Sequence, residues 1–527
     1  MRPGLVPRDG PPSTLSDRVE SEPQRSGRYD RQLVRGARTN ALGTAAKVLH
    51  PLFLIPATRL YGPAAFGLYL IVTAIVELGG SLLSGGLRDG LVVFAGRRDP
   101  QTDPDHSAFV HRLIGTAFQY GAIGCALLVA AALFAGEAGI LMIFSHDEVA
   151  RASGRELAAL LPIVVWALPC MVVADLAIAA TKALMIMEYD TIILGFGKPA
   201  LLIVTALVGV LVSPDVVGLA WGFVVTHLLL AVASIWALAR HFDLRELGRA
   251  TLRPRYERAL LGFAVPQSLN MSLTSFMTNV DQFVLGYFGV APALIAFYGT
   301  AARILRSVRQ AKLTFSGAFA PVIARLYGER KIAELEKQAG TVARWSTTIA
   351  MPALLVVVGL RRELMLIFDE SYTHDTTFML LLVVLPLLSC VFGIAGNVIV
   401  MTGHSRWNLF NSLLTAALTL GLAPVLVPRW GLMGAAAATL VTAVVVTALQ
   451  ITQAKRLVGV GVALRLIYKP LVAGAAGAVV LFWLGETLGD SIYWHVAAAV
   501  VAVGAYLAVL FALRLDPQDR RLFGLGR

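Results

Sequence analysis

The sequence predicts an all-α protein that crosses a membrane about fourteen times, and three observations predict it. Of its 527 residues, 57% are hydrophobic and 15% charged, with a mean hydropathy of +0.71. Soluble domains carry about 25% charged residues. The apolar residues fall in runs of about twenty or more, the length that crosses a bilayer core as a helix. The alternating segments of a β-barrel are absent, and lipid admits only helices or closed barrels.

Taken in order, residues 1–35 are polar, lack an apolar signal core and read as a disordered cytosolic tail. Spans are predicted at 36–58, 64–94, 110–136, 156–182, 189–212, 216–240, 257–288, 292–323, 340–360, 376–402, 407–427, 432–454, 464–485 and 491–513. With the N-terminus inside, the cytosolic segments hold 31 Lys and Arg, the outer segments 6, and the spans 8. That asymmetry predicts two cytosolic termini. The net charge of +12 is spread between apolar runs as orientation signals, which argues against a nucleic-acid partner. Cys125, Cys170 and Cys390 lie inside apolar runs and form no metal-ligand or disulfide pattern.

The chain echoes itself. LYGPAAFGLY (60–69) resembles GYFGVAPALIAFY (286–298), Gly62 aligning with Gly289 at an offset of 227. GLAWGFVVT (218–226) resembles GLMGAAAAT (431–439) at an offset of 213. Both match helix n with helix n+6, the pattern of parallel transporter repeats. The expected organisation is an N-lobe at 36–240 (helices 1–6), a cytosolic linker at 241–256 and a C-lobe at 257–456 (helices 7–12). Helices 13 and 14 follow at 457–513, with a cytosolic tail at 514–527.

Charge inside spans marks the candidate site. YGTAARILRSVRQAKLTF (298–315) carries Arg303, Arg306, Arg309 and Lys312. A helix starting at the GVAP break, near Pro292, puts Arg303 about 16 Å deep. Arg303, Arg306, Ser307, Gln310 and Thr314 then share an arc of about 100°, with Lys312 opposite. A helix starting near Asp281 instead leaves 303–312 at the cytosolic interface. Similar arcs hold Thr73, Glu77, Ser81, Ser84 and Arg88 on helix 2, and Gln267, Asn270, Thr274, Thr278 and Asp281 on helix 7. Helix 1 adds Asn40, Thr44 and Lys47. A charge at mid-membrane costs roughly 3 kcal/mol or more, so these arcs are expected to share one wet cavity. Glu77 and Asp281 are read either as neutralising partners of the cations or as sites for a coupling ion, H⁺ or Na⁺.

RLYGPAAFGLY (59–69), NVDQFVLGYFG (279–289), AFYGTAARI (296–304), FAPVIARLYGE (319–329), FDESY (368–372) and PRWGLMGAAAAT (428–439) together resemble polysaccharide flippases of the Wzx type. Their superfamily also holds multidrug and toxin extrusion transporters and lipid II flippases. The resemblance covers about residues 33–456. It implies two six-helix lobes around a central cavity, usually with two extra C-terminal helices. It also implies flipping of a polyprenyl-(di)phosphate-linked oligosaccharide to the outer leaflet by alternating access, a transport role and not an enzymatic one. The expected partners are that lipid-linked substrate, membrane lipids, a polysaccharide polymerase and glycosyltransferases. No cofactor beyond the coupling ion is expected. Arginine suits phosphate through bidentate, charge-assisted hydrogen bonds. Arg303 and Arg306, with Lys47 and Arg88 opposite, are therefore expected to hold the phosphate head, and Gln310, Asn270, Thr274, Thr278 and Asn40 to line the cavity.

A cation-coupled multidrug exporter is a weaker reading, because bases outnumber acids in the arcs. A lipid II flippase shares the fold and the cationic cavity. A membrane-embedded glycosyltransferase would need an acidic metal motif or a nucleophile in the loops, which are short and show neither.

Overall fold

The computed structural model describes residues 50–95, 106–144, 148–184, 186–252, 258–309, 319, 323, 326–372, 375–461, 464–487 and 491–513. Every regular element among them is helical. A 3₁₀ turn at His50–Phe53 leads into α1 (Leu54–Tyr61), the end of the first expected span. Gly62 then adopts φ 84°, open to glycine at no steric cost, and Pro63 starts α2 (Pro63–Ala95). The third span is α3 (His106–Ile143) and the fourth is broken into α4 (Glu148–Val164) and α5 (Ala167–Ala183), bent by 49°. A π-helical turn at Asp190–Gly197 continues into α6 (Lys198–Val212), and α7 (Val216–Ala239) is the sixth span. The expected linker contains a short amphipathic helix, α8 (Leu244–Leu252), with Leu247 buried and Arg245 and Arg249 exposed.

In the second half, α9 (Arg258–Tyr287) and α10 (Pro292–Val308) are the seventh and eighth spans. The ninth begins earlier than expected, at Ile332 in α11 (Ile332–Gly359), and Arg344, read as cytosolic, is buried within it. The short α12 (Arg361–Phe368) precedes the tenth span, which is again a broken pair, α13 (Phe378–Phe392) and α14 (Ile394–Met401), bent by 48°. Spans eleven and twelve run together as α15 (Ser405–Gln453), broken at Gly431 with φ 52° and ψ −124°. The apolar stretch 406–458 has 53 residues. As one straight helix it would be about 80 Å long, more than twice a bilayer core, so the break separates two crossings. The chain closes with α16 (Leu464–Thr487) and α17 (Ile492–Ala512). Among the described residues, eight helices, or ten with the bent pairs, are long and apolar enough to cross a membrane. The polar stripe keeps α9 out of that set, and α10 has 17 residues.

Helix α2 joins the two halves, packing along α9 and onto α10. The approach is so close that only glycine fits. A β-carbon at Gly86 would stand 1.9 Å from the Ala264 carbonyl, and one at Gly67 1.9 Å from that of Pro292. The Gly86 amide donates to Ser268 Oγ at 2.9 Å. The two tyrosines aligned by the sequence echo each anchor an aromatic cluster. Tyr69 packs with Phe53, Phe66 and Phe223, and Tyr298 with Phe378, beside Phe297 and Tyr372.

Candidate functional site

Helix α10 positions the arginines. Ala291 precedes it and Pro292 occupies its first turn, where a missing N–H is harmless. The helix therefore starts at the GVAP break, and Arg303 lies eleven residues inside it. Arg303 interacts electrostatically with Glu77 and Tyr69 of α2 and donates to the Gly299 carbonyl at 3.3 Å. Glu77 is the fifteenth of the 33 residues of α2, about 21 Å from its start. Arg303 is thus level with the middle of that span, away from either end.

Two polar clusters meet at this level. In the first, Lys198 Nζ of α6 lies 3.5 Å from Glu77 Oε1, each side chain about one third exposed. His227 of α7 is buried and interacts electrostatically with Lys198 and Glu77. Its Nδ1 lies 2.9 Å from the Phe223 carbonyl, which can only accept, so the proton sits on Nδ1. Nε2 is buried with no partner among the described residues. In the second cluster, Asp281 of α9 accepts from Tyr298 Oη at 3.0 Å and from Thr439 Oγ1 of α15 at 2.7 Å, one hydroxyl to each oxygen. Arg306 interacts electrostatically with Asp281 and donates to the Thr278 carbonyl at 2.6 Å. The two arginines therefore face different acids, one from each half of the chain.

The remaining expected residues divide. Asn270, Thr274 and Thr278 form an open stripe on α9, roughly opposite the exposed Val265 and Leu269. An apolar face toward lipid and a polar face toward water account for that pair of surfaces. The Thr274 and Thr278 hydroxyls donate to carbonyls four residues earlier. Arg88 lies eleven residues beyond Glu77, about 16 Å along α2, and pairs with Asp89 at 3.4 Å. Asp89 also accepts from Gln267 Nε2 at 2.8 Å. Thr73 and Ser84, on the same arc as Glu77, are buried. Thr73 donates to the Tyr69 carbonyl, and Ser84 to Asp175 Oδ2 of α5 at 2.6 Å. Lys47, Asn40 and Gln310 lie outside the described residues.

Lys198, His227, Tyr298, Thr439 and Asp175 did not emerge as site residues from the sequence. Lys198 carried a signal, as a lone charge inside an apolar span, and Thr439 closes the second echo. No group of His, Cys, Asp and Glu among the described residues could hold a metal ion.

The described residues form a multi-pass helical bundle that gathers ionisable side chains within its spans, from both halves of the chain. Residues 57–375 match the family described as polysaccharide biosynthesis protein, and the chain belongs to that family. In fold it is similar to the lipid II flippase MurJ in an inward closed conformation, with a TM-score of 0.67 and 12% identity, covering 89% of this chain and 97% of that one. It is also similar to an inward-facing multidrug resistance MATE family transporter of the MOP superfamily, with a TM-score of 0.66 and 14% identity over 79% and 94% of the two chains. A third relative in fold is a MOP superfamily transporter from Pyrococcus furiosus, described by a reverse polarity of its binding pocket. Its TM-score is 0.55 and its identity 17%, over 81% and 95%. No match to a curated protein sequence reaches significance.

Proposed function

We propose that this protein flips a polyprenyl-(di)phosphate-linked oligosaccharide from the inner to the outer leaflet of a bacterial-type inner membrane, by alternating access and with both termini cytosolic. The observation that carries the reading is the surplus of cations at mid-span: Lys198, Arg303 and Arg306 against Glu77 and Asp281. The costly step in flipping is taking an anionic head and a polar glycan through ~30 Å of hydrocarbon. A cationic, water-lined passage removes that cost while the prenyl tail stays in lipid.

The two clusters suit different tasks. Both oxygens of Asp281 already accept hydroxyls, which holds it in place. Glu77 meets Lys198 at 3.5 Å, a long contact that a phosphate can replace. The phosphate then takes Lys198 and Arg303 through charge-assisted bonds. Because α10 presents Arg303 to the first half and Arg306 to the second, rocking of the halves alters both contacts together. Glu77 and Asp281 are the candidate sites for a coupling ion, H⁺ or Na⁺. Glycosyltransferases supply such a substrate and a polymerase consumes it, and both are expected partners.

The test is flipping of a fluorescent lipid-linked oligosaccharide by the purified protein in liposomes. Arg303→Ala and Lys198→Ala should abolish flipping, and Arg303→Lys should retain part of it. Undiminished flipping by both alanine variants would overturn the assignment. Lipid II carries the same diphosphate, so running both donors side by side decides between the two flippase readings.

A further inference from the structure

A groove of about 560 Å³ runs along the outside of the first half, between α3 and α5, away from Glu77, Lys198 and Arg303. From Phe118 to Phe134 it follows α3 for seventeen residues, about 24 Å of a ~30 Å bilayer core. Trp166, at the bend between α4 and α5, lines one part, and Thr251 of α8 borders it on the side of the expected linker.

The second half has a corresponding stripe, and there it is covered by the chain itself. Thr348, Met351, Leu355 and Gly359 of α11 lie under α16 and α17. Tyr506 Oη donates to the Thr348 carbonyl at 3.0 Å. β-Carbons at Gly474 and Gly477 would stand 2.6 Å from Met351 and 2.7 Å from Leu355, so the glycines let these side chains lie close against the covering helix. Leu481 reaches Gly359 in the same way. Each of these four residues stands 226 positions after one wall residue of the groove: Ala122, Cys125, Val129 and Leu133. The offset is within one residue of the 227 that relates Gly62 to Gly289. A bent span follows the stripe in both halves. Cys125 and Val129 are already buried, at 6% and 9%, as their counterparts Met351 and Leu355 are, but at the two ends of the stripe the halves differ: Thr348 is buried where Ala122 is exposed, and Gly359 is half-buried where Leu133 is 43% and the adjacent Phe134 91% exposed.

We propose that the α3–α5 groove seats a transmembrane helix of a second membrane protein, in the place that α16 and α17 take on the other half. Helices in lipid associate by close packing of small residues. Ala122, Ala126 and Ala130 recur every four residues along the wall of the groove, and the covering helix presents its own small residues, Gly474 and Gly477, one turn apart. The partner helix has a small-residue face of its own. Its cytosolic flank is acidic, because Arg240 just before α8, Arg245 and Arg249 of α8 and Arg258 at the start of α9 are exposed on that side, against two exposed acids there among the described residues, Asp243 and Glu246. The flippase reading is not needed for this proposal.

The experiment places a benzophenone amino acid at Leu133 of the full chain in its native host, with Leu211 of α6, 84% exposed, as the control site. Illumination should give one discrete adduct at Leu133 and none of that mass at Leu211. The captured protein should span the membrane with small residues at every fourth position of one helix and acids at its cytosolic end. Ala126→Trp should abolish the adduct while the purified variant elutes and unfolds like the parent, and Arg245→Glu with Arg249→Glu should weaken it. Adducts with lipid alone, equal adducts at Leu211, or an adduct surviving both Ala126→Trp and Ala122→Trp would overturn the proposal.

Discussion

Lys198 Nζ stands 3.5 Å from Glu77 Oε1, pairing the fifth span with the second at the middle of α2. Removing Glu77 takes from Lys198 and Arg303 the acid both face, and removing Lys198 takes one cation from Glu77, at a depth where charge is costly. Glu77→Gln or Lys198→Met should therefore each destabilise the protein by about 1–2 kcal/mol. That is below the 3–5 kcal/mol of a fully buried pair, because both side chains keep about a third of their surface. The double variant Glu77→Gln with Lys198→Met should recover most of the loss. Thermal unfolding in detergent, read as a double-mutant cycle, measures the coupling. Additive losses would show that the two charges act independently.

Asp281 differs, because Tyr298 and Thr439 each donate to one of its oxygens. Tyr298→Phe and Thr439→Val each remove one hydrogen bond to the Asp281 carboxyl, a loss of about 1 kcal/mol. Asp281→Asn should keep the fold but alter ion dependence if the coupling ion binds there. Flipping measured with and without H⁺ and Na⁺ gradients decides this. Full gradient dependence in Asp281→Asn would remove Asp281 from coupling, and the same result in Glu77→Gln would remove Glu77.

The order and ends of the helices were legible where local chemistry decides them. Pro292 fits only a helix start, Gly62 with Pro63 breaks the chain between α1 and α2, and Gly431 with its positive φ separates two crossings. The polar arc of α9 was legible from its 100° periodicity. Depth and facing were less so. Helix α2 has 33 residues and is packed by both halves, so one arc holds the mid-span Glu77, the buried Thr73 and Ser84, and Arg88 about 16 Å away. The angle gave the face of Arg88 and not its level. Lys198 and His227 approach Glu77 because α7 packs on both α2 and α6, a tertiary relationship that the charge of Lys198 inside an apolar span signals but does not place.

Outside the membrane, Asp215 caps α7. Its carboxylate accepts from the Val217 and Gly218 amides at 3.1 and 3.4 Å and from Ser213 Oγ at 2.6 Å. The Ser213 hydroxyl first, then the helix amides, hold its carboxyl below the usual carboxylate range. A carboxyl lowered in the folded state stabilises it fully above the unfolded value, about 3.9, and loses that contribution as pH falls through the folded value. Asp215→Ala should cost about 1 kcal/mol at neutral pH. The gap between variant and parent should close as the pH drops below about 4, and thermal unfolding at pH 7 and at acid pH checks both parts. Asp215→Asn retains capping ability and should recover part of the stability without the pH dependence.

Arg88 and Lys198 separate the site expected from the arcs from the one the packing forms. Both are cations in membrane helices, but Arg88 pairs with its neighbour Asp89 and lies about 16 Å along α2 from Glu77. Lys198 meets Glu77 directly. Binding of a short-chain polyprenyl diphosphate to the purified protein, followed by quenching of intrinsic tryptophan fluorescence, should weaken at least tenfold in Lys198→Ala. A buried charge-assisted contact is worth about 1.5–3 kcal/mol, and a tenfold change corresponds to about 1.4 kcal/mol. Arg88→Ala should leave that affinity within about twofold, because its charge is engaged elsewhere and separated by three helical turns. If Arg88→Ala weakens binding as much as Lys198→Ala does, the head extends along α2 toward Asp89 and the site must be redrawn around Arg88 as well. If neither variant moves the affinity, the head binds away from both, and the first cluster is a structural ion pair.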